Sequence, residues 1–230
     1  MAKYRLSVGQ MGFIQGGKVM AFLFREYLPR PDVDKLSIHN FGIGADGKPY
    51  SFIVWNSGDY RHMYQEDYHD NKWTSTWVMD YYGEKGVLET ADIYPRRSYQ
   101  FWTPYRTTKF VYGKEIFWGG LQNIGDEFNA PIQIDPIGST KFEAPTKGNQ
   151  RLKYVNQYNY FNGYTDVIEL EYDQSFENGT KSTGWRGWYA REVGVVQINW
   201  RYDGKDVGAP IPATVTVVKG KIVNKYPVLT

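Results

Sequence analysis

The chain has 230 residues, a length that suits one large all-β domain and does not limit core size. Its 27 basic and 25 acidic side chains leave a net charge of only +2, so no global field favours nucleic acid, and the lack of cysteine excludes disulfides, thiolate metal sites and cysteine nucleophiles. No run reaches the roughly 18 apolar residues of a spanning helix, so no transmembrane segment is expected.

The first residues, MAKYRLSVGQMGFIQGGKVMAFLFREY, have a basic start followed by the apolar run VMAFLF. That run is too short and too late for an export signal, and Arg25 and Glu26 follow it at once. The stretch is expected to be mature protein that begins with a strand. An exported origin with the leader removed is compatible with it, and the compartment is left unassigned.

KLSIHNFGIGADGKPYSFIVW follows as a strand, a turn at Asp46-Gly47 and a returning strand. DYRHMYQEDYHDNKW, residues 59–73, comes next and carries two of the three histidines. With Ser57 as N-cap and Asp59 in the first turn, a short helix is expected near residues 58–70. At about 100° per residue, Tyr60, Met63, Tyr64 and Tyr68 share one face while His62, Glu66 and His69 share the other.

Two imidazoles and a carboxylate make a workable first shell for a divalent ion. The spacing is not the His-Glu-x-x-His signature, and His39 adds a ligand only through a tertiary contact. A solvated polar face is expected instead, with no metal or cofactor assigned, and His62 and His69 are kept as candidate acid or base residues.

WTSTWVMDYYGEKGVLETADIY repeats the hairpin plan around Gly83 to Gly86, and KFVYGKEIFWGG predicts a tight hairpin at Tyr112 to Lys114. Residues 121–150 hold three prolines and a weak strand signal. They form either an internal junction or a long excursion, and a single domain over 1–230 is preferred because neither half has strands enough to bury a sheet. The last third has turns at Asn162-Gly163, Asn178-Gly179 and Asp203-Gly204. The expected fold is therefore all-β: one antiparallel curved sheet, or a jelly-roll-like sandwich or barrel, with one short helix.

In DVIELEYDQ, residues 166–174, Ile168, Leu170 and Tyr172 take one face and Glu169, Glu171 and Asp173 the other. Residues two apart on a strand are roughly 6.5–7 Å apart. That distance is permissive for the carboxyl pair of an inverting glycosidase, at about 6.5–9.5 Å. Glu169 and Glu171 are thus candidates for hydrolysis, with an acidic solvated sheet face as the plain alternative. The Glu-x-Asp-x-x-Glu strand of laminarinase-type jelly-roll glycosidases is not matched, since Glu171 stands at the Asp position and Asp173 falls one residue short.

Aromatic content is the main anomaly: 20 Tyr, 12 Phe and 8 Trp make up 17% of the chain. Core and cross-strand packing is the plain reading of any one of them, and exposed platforms that stack on flat ligands are the functional one. Trp73, Trp77, Trp102, Trp118, Trp185 and Trp188 are the candidates for stacking on sugar rings. YPRRSYQFWTPYR, residues 94–106, interleaves arginines with aromatics, so Arg96 and Arg106 are candidates for engaging acidic sugar groups. A lyase would pair His62 with a tyrosine.

GWRGWYAREVGVVQINW, residues 184–200, resembles a phrase of exported bacterial β-proteins of the lipoprotein-carrier-like class, through Trp188, Tyr189, Ala190, Val193, Gly194 and Val196. The resemblance implies a strongly curved antiparallel sheet around an apolar cavity and names no catalytic residue. The expected function is recognition of carbohydrate, with or without cleavage, on an aromatic-lined concave face. The alternatives are a non-catalytic carrier of a small apolar ligand and a structural or assembly β-protein such as a virion component. The expected partner is a glycan or a small apolar ligand, and the oligomeric state is left open.

Overall fold

The computed structural model describes residues 24–29, 31–32, 34–44, 46–56, 62–82, 86–95, 105–112, 123–137, 146–176 and 182–220, with side chains confined to parts of 24–74, 123–129 and 148–220. A 3₁₀ turn, Phe24–Tyr27, comes first. Thirteen strands follow among the described residues: β1 Lys35–Ile43, β2 Pro49–Asn56, β3 His62–His69, β4 Lys72–Tyr82, β5 Gly86–Pro95, β6 Tyr105–Tyr112, β7 Glu127–Ile137, β8 Thr146–Phe161, β9 Tyr164–Phe176, β10 Thr183–Ala190, β11 Gly194–Tyr202, β12 Lys205–Pro212 and β13 Thr214–Lys219.

All pairings are antiparallel, and the strands lie in the order β12-β11-β10-β9-β8-β7-β6-β5-β4-β3-β2-β1-β13. This is a meander whose two ends belong to neighbouring strands, since Ala213 alone separates β12 from β13. The segment 205–219 therefore pairs first with β11 and then with β1. The Ala213 amide still donates to the Val196 carbonyl at 2.8 Å, while Thr214 already pairs with Asn40. β1 and β11 are thereby drawn together without pairing, so the sheet bends back on itself and does not close as a barrel.

Turn chemistry sets the register. Asn162 and Gly163 have φ of 48° and 89°, and Asp203 and Gly204 have 52° and 70°. Positive φ at both central residues is what a two-residue type I′ hairpin needs, and these residue types supply it at low cost. Between β3 and β4 the same job falls to Asp70 and Asn71, at 55° and 58°.

That third turn overturns the helix expected near 58–70. Residues 62–69 form strand β3, paired with β2 on one edge and β4 on the other. The short stretch fits both a helical and an alternating pattern, and pairing on two edges decides for the strand. Residues 121–150, read as an internal junction or a long excursion with a weak strand signal, contain a full strand. β7 crosses them and pairs with β6 and β8 despite containing Pro131 and Pro136, so the prolines remove two ladder donors without breaking the strand. The turns expected at Gly83 to Gly86, Tyr112 to Lys114 and Asn178-Gly179, and the strand expected at the N-terminus, fall wholly or in part outside the described residues.

The concave side holds the core. Phe41, Phe52, Val54 and Met63 from β1–β3 meet Leu152, Tyr154, Ile168, Leu170, Tyr172, Trp185 and Tyr189 from β8–β10. Burying each such side chain fully contributes about 1.5–3 kcal/mol. Phe24, Tyr27 and Leu28 join the same cluster, so the 3₁₀ turn stoppers one end of the fold.

Candidate functional site

Beside this core lies a cavity of about 70 Å³ on the concave side. β2 contributes Tyr50 and Phe52, and β3 contributes Met63, Gln65 and Asp67. These residues share a face because they alternate along their strands and because Phe52 sits opposite Asp67 in the register. β10 contributes Trp185 and Tyr189 from the facing layer. Between them stands Gly187, where a Cβ would come within 2.7 Å of Tyr189 Cε2 and 3.1 Å of Trp185 Cζ3. The two rings lean over that gap with centroids 5.8 Å apart.

β11 completes the wall. A bulge opposite Trp188 and Tyr189 shifts the register by one residue, so that both Val195 and Ile198 line the cavity. Trp200 follows two residues on, its ring meeting Tyr50 edge-on at 5.6 Å. Leu28 and Pro29 cover one side.

The mouth is apolar and open. Trp200 is 42% exposed, Tyr202 50% and Val207 53%. Trp200 and Tyr202 are two apart on one strand and so share a face, and Val207 is the cross-strand partner of Trp200. Burial, with a smaller contribution from the Asp67 charge, pushes the Tyr50 phenol well above its ordinary pKa, and burial does the same to Tyr189. Both rings therefore remain neutral at physiological pH. Asp67 is itself buried and accepts a hydrogen bond from Gln65 Nε2 at 2.9 Å.

The residues singled out from sequence scatter relative to this cavity. Trp185 lines it. Trp188 points to the opposite face and stacks on Phe161 with ring planes 4° apart. Trp73 pairs with Tyr68 across β3–β4. Trp77 lies in β4 and Arg106 in β6, both with side chains outside the description, and Trp102, Trp118 and Arg96 lie outside the described residues.

Glu169 and Glu171 stand on the convex face among arginines. Tyr158 donates to Glu169 at 2.6 Å, and Glu171 pairs with Arg186, with Arg201 at 3.2 Å and with Arg151 at 3.3 Å. Burial alone would raise the pKa of Glu171, but Arg201, Arg186 and Arg151 outweigh it and hold the group below its usual range. A carboxyl so held stays ionised and is unsuited to donating a proton.

The same lattice includes Asp173, which accepts from Arg201 Nε at 3.0 Å and from Arg151 Nη1 at 2.9 Å. Gly184 sits between Asp173 and Arg201 in the ladder, where a Cβ would collide with the Tyr172 carbonyl. A shallow polar depression of about 480 Å³ adjoins the lattice, with Asn129, Asn149, Ser175 and Ser182 on its walls.

The histidines do not assemble. His69 donates from Nε2 to Asp46 Oδ2 at 2.7 Å on the surface, whereas Glu66 is buried on the other side of β3 and accepts from Tyr68 at 2.6 Å. His62 lies in β3 with its side chain outside the description. Among the described residues, no group of three His, Asp or Glu side chains is arranged to hold a metal ion.

Sequence reasoning missed Tyr50, Asp67, Tyr189, Trp200 and Tyr202. The last two were findable: in QINWRYDG the residues at 198, 200 and 202 alternate up to an Asp-Gly turn, which puts both rings on one face.

No family model matches the chain, and no curated protein matches it. A solved structure from Bacteroides fragilis with a YmcC-like fold is similar at 11% identity and a TM-score of 0.34, over 89% of this chain and 100% of that one. No helix among the described residues is long and apolar enough to cross a membrane.

Proposed function

We propose that the protein recognises carbohydrate, with a sugar ring lying against Trp200 and Tyr202 at the mouth of the concave cavity. The observation that carries this reading is the pair of half-exposed rings on one strand face, leading into a wall of further aromatics. Sugar rings present apolar C–H faces that pack on such platforms, while their hydroxyls bond to polar tips such as the Tyr202 phenol and the Gln65 amide. Recognition without cleavage is the form proposed, because Glu169 and Glu171 lie on the other face of the sheet in ion pairs.

Glycan-array screening of the full chain, followed by calorimetry on the hits, tests the proposal. Trp200→Ala is expected to weaken binding about tenfold, equivalent to roughly 1.4 kcal/mol, with the circular-dichroism spectrum unchanged. An array with no hits, or a Trp200→Ala variant that binds as tightly as the parent, would sink it.

The apolar walls favour a second reading, a carrier that holds the end of an apolar ligand. A cavity of about 70 Å³ is small beside the roughly 300–1,000 Å³ of pockets that enclose whole ligands. Only a short terminus would enter. Mass spectrometry of organic extracts of the purified protein tests this, and a stoichiometric lipid would favour it over glycan recognition.

A further inference from the structure

We infer that the cavity below Trp200 receives the acetyl end of an N-acetylated sugar; the sugar rests on the carbohydrate reading, the choice of substituent on the cavity itself. Two phenols carry the inference. Tyr50 and Tyr189 both line the cavity, and neither hydroxyl has a hydrogen-bond partner among the described residues. Tyr189 is only 7% exposed. Burial keeps both hydroxyls protonated at physiological pH, so both are donors. A buried donor without a partner is costly, and a ligand that brings an acceptor removes that cost. A carbonyl oxygen is such an acceptor, whereas an ammonium only donates.

Size and wall chemistry narrow the group further. On the scale of an apolar cavity of about 150 Å³ that holds benzene, about 70 Å³ holds roughly three heavy atoms, as many as an acetyl group has. Leu28, Met63, Val195 and Ile198 offer apolar contacts to its methyl. A free amine or a bare hydroxyl set against the same side chains would shed water without full replacement. Gln65, also on the wall, commits its Nε2 to Asp67 at 2.9 Å and retains Oε1 as an acceptor for the N–H of the substituent. Trp200 joins the two parts of the site, because it lines the cavity and is half-exposed at the mouth. A sugar ring resting on it stands where a substituent enters.

Calorimetry on the full chain compares chitotetraose, its fully deacetylated form and cellotetraose, which differ only in the substituent at the second ring carbon: acetamido, ammonium or hydroxyl. Chitotetraose is expected to bind at least tenfold tighter than either of the others. Tyr50→Phe and Tyr189→Phe, which remove a hydroxyl and keep the ring, should each cut that preference by about threefold or more. The comparison in the parent protein stands even where a variant fails to fold.

Three tetramers binding alike, or a preference for the amine or the hydroxyl, would overturn the inference and leave the carbohydrate reading intact. A preference for chitotetraose that both phenylalanine variants keep in full would put the acetyl group elsewhere and overturn it too. If no tetramer binds, the inference falls, and only array hits of other composition would then keep the carbohydrate reading.

Discussion

His39 Nδ1 donates to the Val195 carbonyl at 2.8 Å, tying β1 to β11 where the two ends of the sheet come together. A carbonyl only accepts, so Nδ1 carries the proton and Nε2 accepts from Ser37 Oγ at 3.0 Å. Burial pushes the imidazole pKa down to about 4, with the Val195 carbonyl opposing part of the fall. The group is neutral in the folded protein, while the unfolded chain takes up a proton near pH 6.5. Its contribution is complete above pH 6.5 and is lost as pH falls towards 4. Between pH 6.5 and 5 this amounts to about 2 kcal/mol. Urea midpoints at pH 7 and pH 5 should differ accordingly in the parent and much less in His39→Gln. Equal pH dependence in the two would refute the assignment.

Gly194 has φ of 92°, and a Cβ there would stand 2.6 Å from Pro29 Cδ and 3.2 Å from His39 Cε1. Gly163 has a similar φ of 89° with open space around it. Gly163→Ala thus measures the backbone cost alone, about 1–2 kcal/mol, or roughly 2–8 °C in melting temperature. Gly194→Ala adds the collision with Pro29 and should lower the melting temperature at least twice as far. Calorimetric melting of the two variants side by side checks this.

Asp173 is expected to matter far more than a surface partner. Asp173→Ala removes one of the two carboxylates that the buried Arg201 and the neighbouring Arg151 share, leaving Glu171 to both and Asp206 to Arg201, and losing charge-assisted hydrogen bonds in this way costs about 1.5–3 kcal/mol. Asp32→Ala, which removes the exposed bridge to Lys35, should cost less than about 1 kcal/mol. Urea denaturation of both variants, with and without added salt, provides the comparison.

A third network clasps the 3₁₀ turn to the hairpin ends. Tyr27 donates to Asp166 Oδ1 at 2.7 Å, Gln157 donates to the same oxygen at 3.0 Å, and Arg191 joins Asp166 to Glu26. Tyr27→Phe should cost about 1 kcal/mol. The expected signature is faster amide exchange over residues 24–29, with protection in β8–β11 retained. Uniformly faster exchange would mean the clasp is not a local fastening.

Much of the fold was legible from turn residues. Asn162-Gly163 and Asp203-Gly204 mark two-residue hairpins, and alternation in 166–173 separates the core-facing Ile168, Leu170 and Tyr172 from Glu169, Glu171 and Asp173. Residues 62–69 were misread because Asp70-Asn71 turns a hairpin without the usual glycine, while the short stretch also satisfies a helical spacing. The cavity was not legible at all. Its walls come from two pairs of neighbouring strands, β2–β3 and β10–β11, which lie more than a hundred residues apart in the chain and meet only because the sheet bends back. Trp188 went astray for a simpler reason: three residues from Trp185 along a strand, it must face the other way.

Pairing Lys35 with Lys219 has a bearing on synthesis. β1 leaves the ribosome well before β13, the segment that covers its outer edge. Until β13 emerges that edge presents open backbone donors and acceptors, a template for pairing with other nascent chains. Contacts of such sequence separation also form slowly. Truncation ahead of residue 214 would therefore yield a chain prone to associate through β1, and β13 acts as the chain's own protection against aggregation.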